Sequence, residues 1–260
     1  HTLEYFGERN TGNHLSNNGR GLFLLGLALG IERYAALGGR ILIEESARIF
    51  GPSGMLREGS SHYHLLLTRS YAECWLAAKA GARTEAAALE AITQKALSVI
   101  PALSLPGRFS LIGDISPDCP PQHFSGLIDP ADTTGWNGRL SPEHRQSLRT
   151  LICGAPAWNT ELDGWLRADA HGWSGLWHSA PKGWPLMPGH GHQDCGSFEL
   201  HYDGEAVFID PGRGAYGETG AAAHYRAAEV HNTLLVDKAD PYPVNRPYYD
   251  DAFRSVVGGA

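Results

Sequence analysis

Apolar positions recur at helical spacing through roughly the first hundred residues and at alternate positions in the last hundred. "LSNNGRGLFLLGLALGIERYAALG", "RILIEESARIF", "SSHYHLLLTRSYAECWLAAKAGA" and "TEAAALEAITQKALSVIPAL" repeat apolar side chains every three or four positions, the pattern of helices with one buried face. Ser61 and Thr84 stand where N-caps belong, and Glu85 brings negative charge into a first turn. The short glycine-containing links between these stretches predict stacked antiparallel helical hairpins. "GPSGMLREGS" is a loop that delivers polar residues to one end of the helical layer. Between 104 and 145 the periodicity fails, and Pro, Gly and Asp predict a long ordered loop, of the kind that links or serves a site.

After about 155 the period becomes two. "SFELHYDGEAVFIDPG" predicts a hairpin: Phe198, Leu200 and Tyr202 alternate, Asp203-Gly204 turns the chain, and Val207, Phe208 and Ile209 return. "HNTLLVDKADPYPV" predicts a further strand. The expected class is α+β, with a helical domain at 1–155 and an antiparallel β domain at 156–260.

Composition narrows the function. The net charge of −7 and the lack of any Lys/Arg run exclude a phosphate-tracking stripe, so nucleic acid is not the expected partner. An excess of His, Trp and Tyr (13, 7 and 10) suits a carbohydrate cleft. Cys74, Cys119, Cys153 and Cys195 are far apart with no C-x-x-C, which predicts free thiols rather than disulfides or a cysteine metal site. "GLFLLGLALGI" is too short and too glycine-broken to cross a bilayer, so no membrane span is expected. The chain starts at His1 without a visible signal sequence, and both ends read as cut. Oligomeric state is open.

The chemistry concentrates in "HGHQD". If these residues are extended, His190 and His192 point to one face. Asp210 ends the return strand of the hairpin, and His231 opens the next predicted strand at the same corner. His192, Asp210 and His231 therefore form a candidate N2O zinc set; the alternative is that they cap strand ends. Two-metal hydrolases of the metallo-β-lactamase type carry H-x-H-x-D-H. Here Cys195 follows Asp194, and the motif enters a hairpin after a helical domain, so that reading loses ground. In the helical half, "GNHLSNNGRGL" sets Asn13 and His14 at a helix start. "LREGSSHYHLLL" sets Arg57, Glu58, Tyr63 and His64 where a loop becomes a helix. A cation near Tyr63 would favour tyrosinate, making Tyr63 a candidate for proton transfer.

Taken in order, Asn13-His14, Glu58-Gly59-Ser60 with Tyr63-His64, His190 to Leu200, Asp210-Pro211-Gly212 and His231-Asn232-Thr233 resemble the heparinase II/III-like polysaccharide lyases. The resemblance implies an incomplete (α/α) toroid followed by an antiparallel β-sandwich-like domain, with the active site in the cleft between them. It implies β-elimination on a uronic-acid-containing polysaccharide by a bacterial protein, periplasmic or secreted rather than cytoplasmic. Asn13 and His14 match the pair that contacts the uronate carboxylate, Tyr63 the catalytic tyrosine, and His190 the catalytic histidine. His192, Asp210 and His231 match the ligands of one structural zinc. Arg57, Glu58, His64 and Tyr216 are the candidate substrate contacts. Two other classes remain: a zinc-dependent hydrolase, and a carbohydrate-binding or exopolysaccharide-biosynthesis protein with altered catalysis on the same scaffold.

Overall fold

The computed structural model describes residues 4–7, 11–156, 159–184, 189–212, 216–217, 219–244, 246 and 248–257. Two compact units divide the chain. The first holds residues 1–56, 64–100 and 121–158; the second holds 57–63, 101–120 and 159–260. The second unit thus recruits two stretches from the helical half, where a reading by linear pattern places a single cut near 155.

The first unit is built on α1 (Asn13–Leu29), α2 (Glu32–Ile49), α3 (Ser61–Ala80), α4 (Ala86–Leu97) and α5 (Pro142–Cys153). α1 and α2 form a hairpin in near backbone contact: a Cβ on Gly38 would sit 2.4 Å from the Phe23 nitrogen. α3 is buried on nearly every side, through Leu65, Leu67, Tyr71, Ala72, Trp75 and Ala78. Such a helix is a core helix rather than an amphipathic one. Its cap is Ser60, whose hydroxyl accepts the Tyr63 N–H at 3.1 Å, and not Ser61. Thr84 likewise does not cap α4, where Glu85 holds the N-cap position without a side-chain bond. α5 lies past the expected loop and is capped by Ser141, which accepts from the His144 N–H.

The second unit carries a two-stranded ribbon, β1 (Ser104–Leu105) and β2 (Arg108–Phe109). Its main sheet is antiparallel in the order β3 (Trp165–Ala170), β4 (Trp173–His178), β5 (Phe198–Tyr202) and β6 (Glu205–Phe208). The Asp203-Gly204 turn has positive φ at both residues, as a tight two-residue hairpin requires. The hairpin stands where the pattern puts it, but its faces are reversed from a simple apolar-inward reading. Glu199 and His201 are wholly buried, while Tyr202 is exposed and Phe198 and Leu200 are half-buried. Trp177 pairs with Leu166 and Phe198, and Trp173 with Tyr202, so the outer face is an aromatic stripe.

The expected strand at 231–244 does not form among the described residues. Only a Val236–Ala239 bridge is present, and Leu234 is 85% exposed. Without a neighbouring strand to pair with, its apolar residues have no sheet to join. All four cysteines are free thiols, and no helix of the described residues is long and apolar enough to cross a membrane.

Candidate functional site

Three stretches of the second unit are laced together by their backbones: 58–61, 110–116 and 190–192. The His190 N–H donates to the Glu58 carbonyl at 3.0 Å, and the Asp114 N–H donates to the His190 carbonyl at 2.9 Å. The Ser60 and Ser61 hydroxyls donate to the carbonyls of Asp114 and Ser110, at 2.7 and 2.6 Å. Gly113 makes the crossing feasible. It has φ +75°, and a Cβ there would lie 2.5 Å from the Gly59 carbonyl and 2.7 Å from that of His190. What the sequence presents as an irregular loop is thus a rigid backbone junction.

On this junction the His190 ring stacks on Tyr63, with centroids 3.5 Å apart and planes 14° from parallel. The Tyr63 hydroxyl hydrogen-bonds the Tyr216 hydroxyl, and the Tyr216 ring stands edge-on to His190 at 6.4 Å. Asp114, nearly buried, offers one carboxylate oxygen to each histidine: Oδ2 lies 3.1 Å from His190 Nδ1, and Oδ1 lies 3.0 Å from His192 Nε2. Glu58, equally buried, has Oε2 3.9 Å from His190 Nε2. A base, a phenol pair and two carboxylates therefore share one spot.

Deeper in the same unit the His192 and His231 rings lie 5.3 Å apart. His231 Nδ1 pairs with Asp210 Oδ2 at 2.8 Å, and Asp210 is held in turn by its own N–H donating to buried Glu199 at 3.0 Å. Burial alone would lower the His231 pKa, but the carboxylates of Asp210 and Asp194 outweigh it and hold it raised. Burial drives the Glu199 carboxyl upward. His192 Nδ1, His231 Nε2 and Asp194 Oδ2 are all buried with no hydrogen-bond partner among the described residues. The Tyr225 backbone approaches His231 closely enough to influence its charge, yet makes no hydrogen bond of good geometry with it. Unpartnered polar atoms at such depth are costly, and each would gain from a further ligand. Among the described residues, no three His, Cys, Asp or Glu side chains already gather as a complete metal-ligand set. A cavity of about 330 Å³ opens beside His192, lined also by Trp184, Gln193, Arg226 and Tyr242.

Of the residues singled out in the sequence, Glu58, Tyr63, His190 and Tyr216 come together, while His231 pairs with Asp210 and lies 5.3 Å, ring to ring, from His192. His190 and His192 do reach the same carboxylate, although the segment that carries them is a turn rather than a strand. Arg57 is half-buried, and among the described residues no hydrogen bond or ion pair joins it to Tyr63, whose hydroxyl meets Tyr216 instead. The assignment of His64 as a substrate contact is corrected. Its ring is fully buried in the first unit, Nε2 bonds the Ala96 carbonyl at 2.9 Å, and Nδ1 accepts the Leu56 N–H at 3.3 Å. Both nitrogens are occupied by backbone, so none is left for a ligand. Asn13 and His14 belong to the helical unit: Asn13 is buried and accepts from Asn17 at 3.4 Å, and the exposed His14 ring stands 3.8 Å from Glu4. Asp114 was missed. The only signal for it was a Gly-Asp pair in a loop too long to be idle.

Residues 154–252 match the family model described as Heparinase II/III-like, C-terminal. That stretch is similar to the heparinase II/III-like C-terminal domain. The matched stretch carries His190, His192, Asp210, Tyr216 and His231, while Tyr63 and Asp114 reach the candidate site from outside it. Among solved structures, a heparinase III matches with a TM-score of 0.63 at 19% identity, covering 88% of this chain and 40% of that one. A heparan sulfate lyase mutant from Pedobacter heparinus matches with a TM-score of 0.59 at 18% identity, covering 88% of this chain and 38% of that one. A further heparinase III with methylated lysines matches at 0.61 and 17%, covering 92% and 38%. The chain spans about two fifths of the length of these structures. They share its α+β fold of helical hairpins followed by an antiparallel sheet. No curated protein matches the chain.

Proposed function

We propose that this protein is a polysaccharide lyase that cleaves a uronic-acid-containing polymer by β-elimination. The observation that carries the reading is the His190–Tyr63–Tyr216 stack, with Asp114 behind it. His190 takes the proton from C5 of the uronate. The C5–H electrons form the C4=C5 double bond, the C4–O bond breaks, and the departing oxygen takes a proton from Tyr63, whose hydroxyl is tied to that of Tyr216. The C5 proton is barely acidic while the adjacent carboxylate stays charged. Asn13 and His14, in the helical unit, are the candidates for hydrogen-bonding that carboxylate and stabilising the enolate-like charge. Glu58 and Arg57 are further candidates for contacts to the sugar. No water is consumed.

We assign a single structural zinc to His192, Asp210 and His231. The donor types suit zinc, and the partnerless nitrogens of the two buried imidazoles are the kind of atoms a metal satisfies. Bound there, it would tie the turn that carries His192, the segment after β6 and residue 231 together and offset the buried carboxylate charge.

The test is a panel of uronans scored by the ultraviolet absorbance of the unsaturated product. Heparan sulfate comes first, because a structural neighbour is a heparan sulfate lyase; alginate and bacterial exopolysaccharides follow. Growth of that absorbance on at least one polymer is expected. Hydrolysis products without unsaturation would point to the hydrolase, and binding without turnover to the non-catalytic scaffold; either would overturn the reading.

A further inference from the structure

Asp114 joins the two histidines of H-x-H through one carboxylate, and that single contact has a chemical consequence for each ring. A neutral imidazole carries one N–H and one lone pair, and a carboxylate accepts only. With Asp114 ionised and both rings neutral, carboxylate oxygens facing His190 Nδ1 and His192 Nε2 at 3.1 and 3.0 Å place a proton on each of those atoms. His190 must then present its lone pair at Nε2, and His192 at Nδ1. The His192 atom left with a lone pair is the same buried Nδ1 that has no hydrogen-bond partner among the described residues.

We infer that Asp114 is a positioning residue that sets opposite tautomers in His190 and His192. It makes the first ring a proton acceptor at Nε2 and turns the second toward a metal through Nδ1. This rests on the lyase reading of the site and adds to it the residue that separates the two histidine roles. Asp114 is suited to the task. Its carboxylate is 4% exposed, its N–H and carbonyl are both engaged at the junction, and Gly113 before it admits no side chain. Carboxylates behind catalytic and metal-bound histidines act in this way generally, by fixing ring orientation and tautomer rather than by moving a proton.

The test uses the full chain with 15N-labelled histidine. Long-range 1H–15N spectra should show His190 protonated at Nδ1 and His192 at Nε2. Asp114→Asn has one acceptor and one donor, so it can serve only one ring as the carboxylate does. One of the two tautomers should switch. Turnover on the active uronan should fall by about 10²–10⁴-fold with KM changed little, and zinc affinity by about 10–100-fold. Asp114→Glu keeps two acceptor oxygens and should retain both tautomers and recover part of the rate. Should Asp114→Asn fail to fold, the wild-type spectrum and the Glu variant decide. Wild-type tautomers opposite to those stated, or an Asn variant with both tautomers and kcat unchanged, would overturn the inference. The spectra need no substrate. If no uronan is cleaved, the lyase reading fails while the tautomer assignment is still judged on its own.

Discussion

His64 and His231 are both buried histidines, one in each unit, and they are buried on opposite terms. His64 sits in the helical core with each nitrogen on a backbone group, and burial holds its pKa down to about 4. It is a neutral, locally satisfied group with the Phe50 ring edge-on to it. His231 sits among carboxylates that hold its pKa up, one ring nitrogen has no good partner, and its neighbours reach it from distant parts of the chain. The same contrast runs through the two units. The helical unit buries apolar side chains and settles its polar ones nearby, as Tyr71 does on the Leu42 carbonyl and Trp75 on Glu90. The second unit buries Asp114, His192, Asp194, Glu199, His201, Asp210 and His231. Burial of polar groups to that extent costs stability unless they are paired, and it is characteristic of sites rather than scaffolds.

The sharpest way to break this contrast is at the stack. His190→Ala should lower turnover by about 10³-fold or more and Tyr63→Phe by about 10²-fold, both with zinc content intact, measured by product absorbance and metal analysis. Equal zinc loss in His190→Ala and His192→Ala would erase the distinction between the two histidines. Next in size, His192→Ala should lose the metal and destabilise the second unit by about 3–5 kcal/mol, since it strands a buried carboxylate; chemical denaturation reads this.

Gly113→Ala should cost about 2–4 kcal/mol, because it forces a side chain into positive φ against two carbonyls. Turnover should fall with it as Asp114 shifts. An unchanged denaturation midpoint would show that the junction is looser than its distances indicate.

A further effect concerns pH. His62 and His64 have folded pKa values of about 4 against an ordinary 6.5, both from burial. The unfolded chain therefore binds more protons below 6.5, so their contribution is intact above that pH and is lost as pH falls toward 4. Each accounts for on the order of 3 kcal/mol across that window. His64→Gln keeps an acceptor and a donor but cannot titrate. It should flatten the fall in stability between pH 6.5 and 4.5, and an unaltered slope would count against a neutral His64.

Much of the fold was legible because it depends on short-range pattern. The periods of 3.6 and 2, the Asp203-Gly204 turn and the loss of periodicity after residue 104 are local properties, and helices and hairpins form from local contacts. The approach of His231 to Asp210 was expected too, although from a strand at 231–244 that does not form among the described residues. The caps at Ser61 and Thr84 missed by a residue, since the Ser61 hydroxyl is drawn to Ser110 and Ile112 across the junction. The strand expected at 231–244 does not form among the described residues, because alternation alone does not supply a partner strand.

What the chain by itself determined was the kind of elements, their order, and the residue types available for chemistry. Tertiary structure decided which face of β5 is inside, that His64 is core while Tyr216 meets Tyr63, and that Asp114 stands between His190 and His192. Those choices rest on contacts such as Asp114 with His190, 76 residues apart. No periodicity of a single segment encodes such a contact; it appears only when the backbone junction closes.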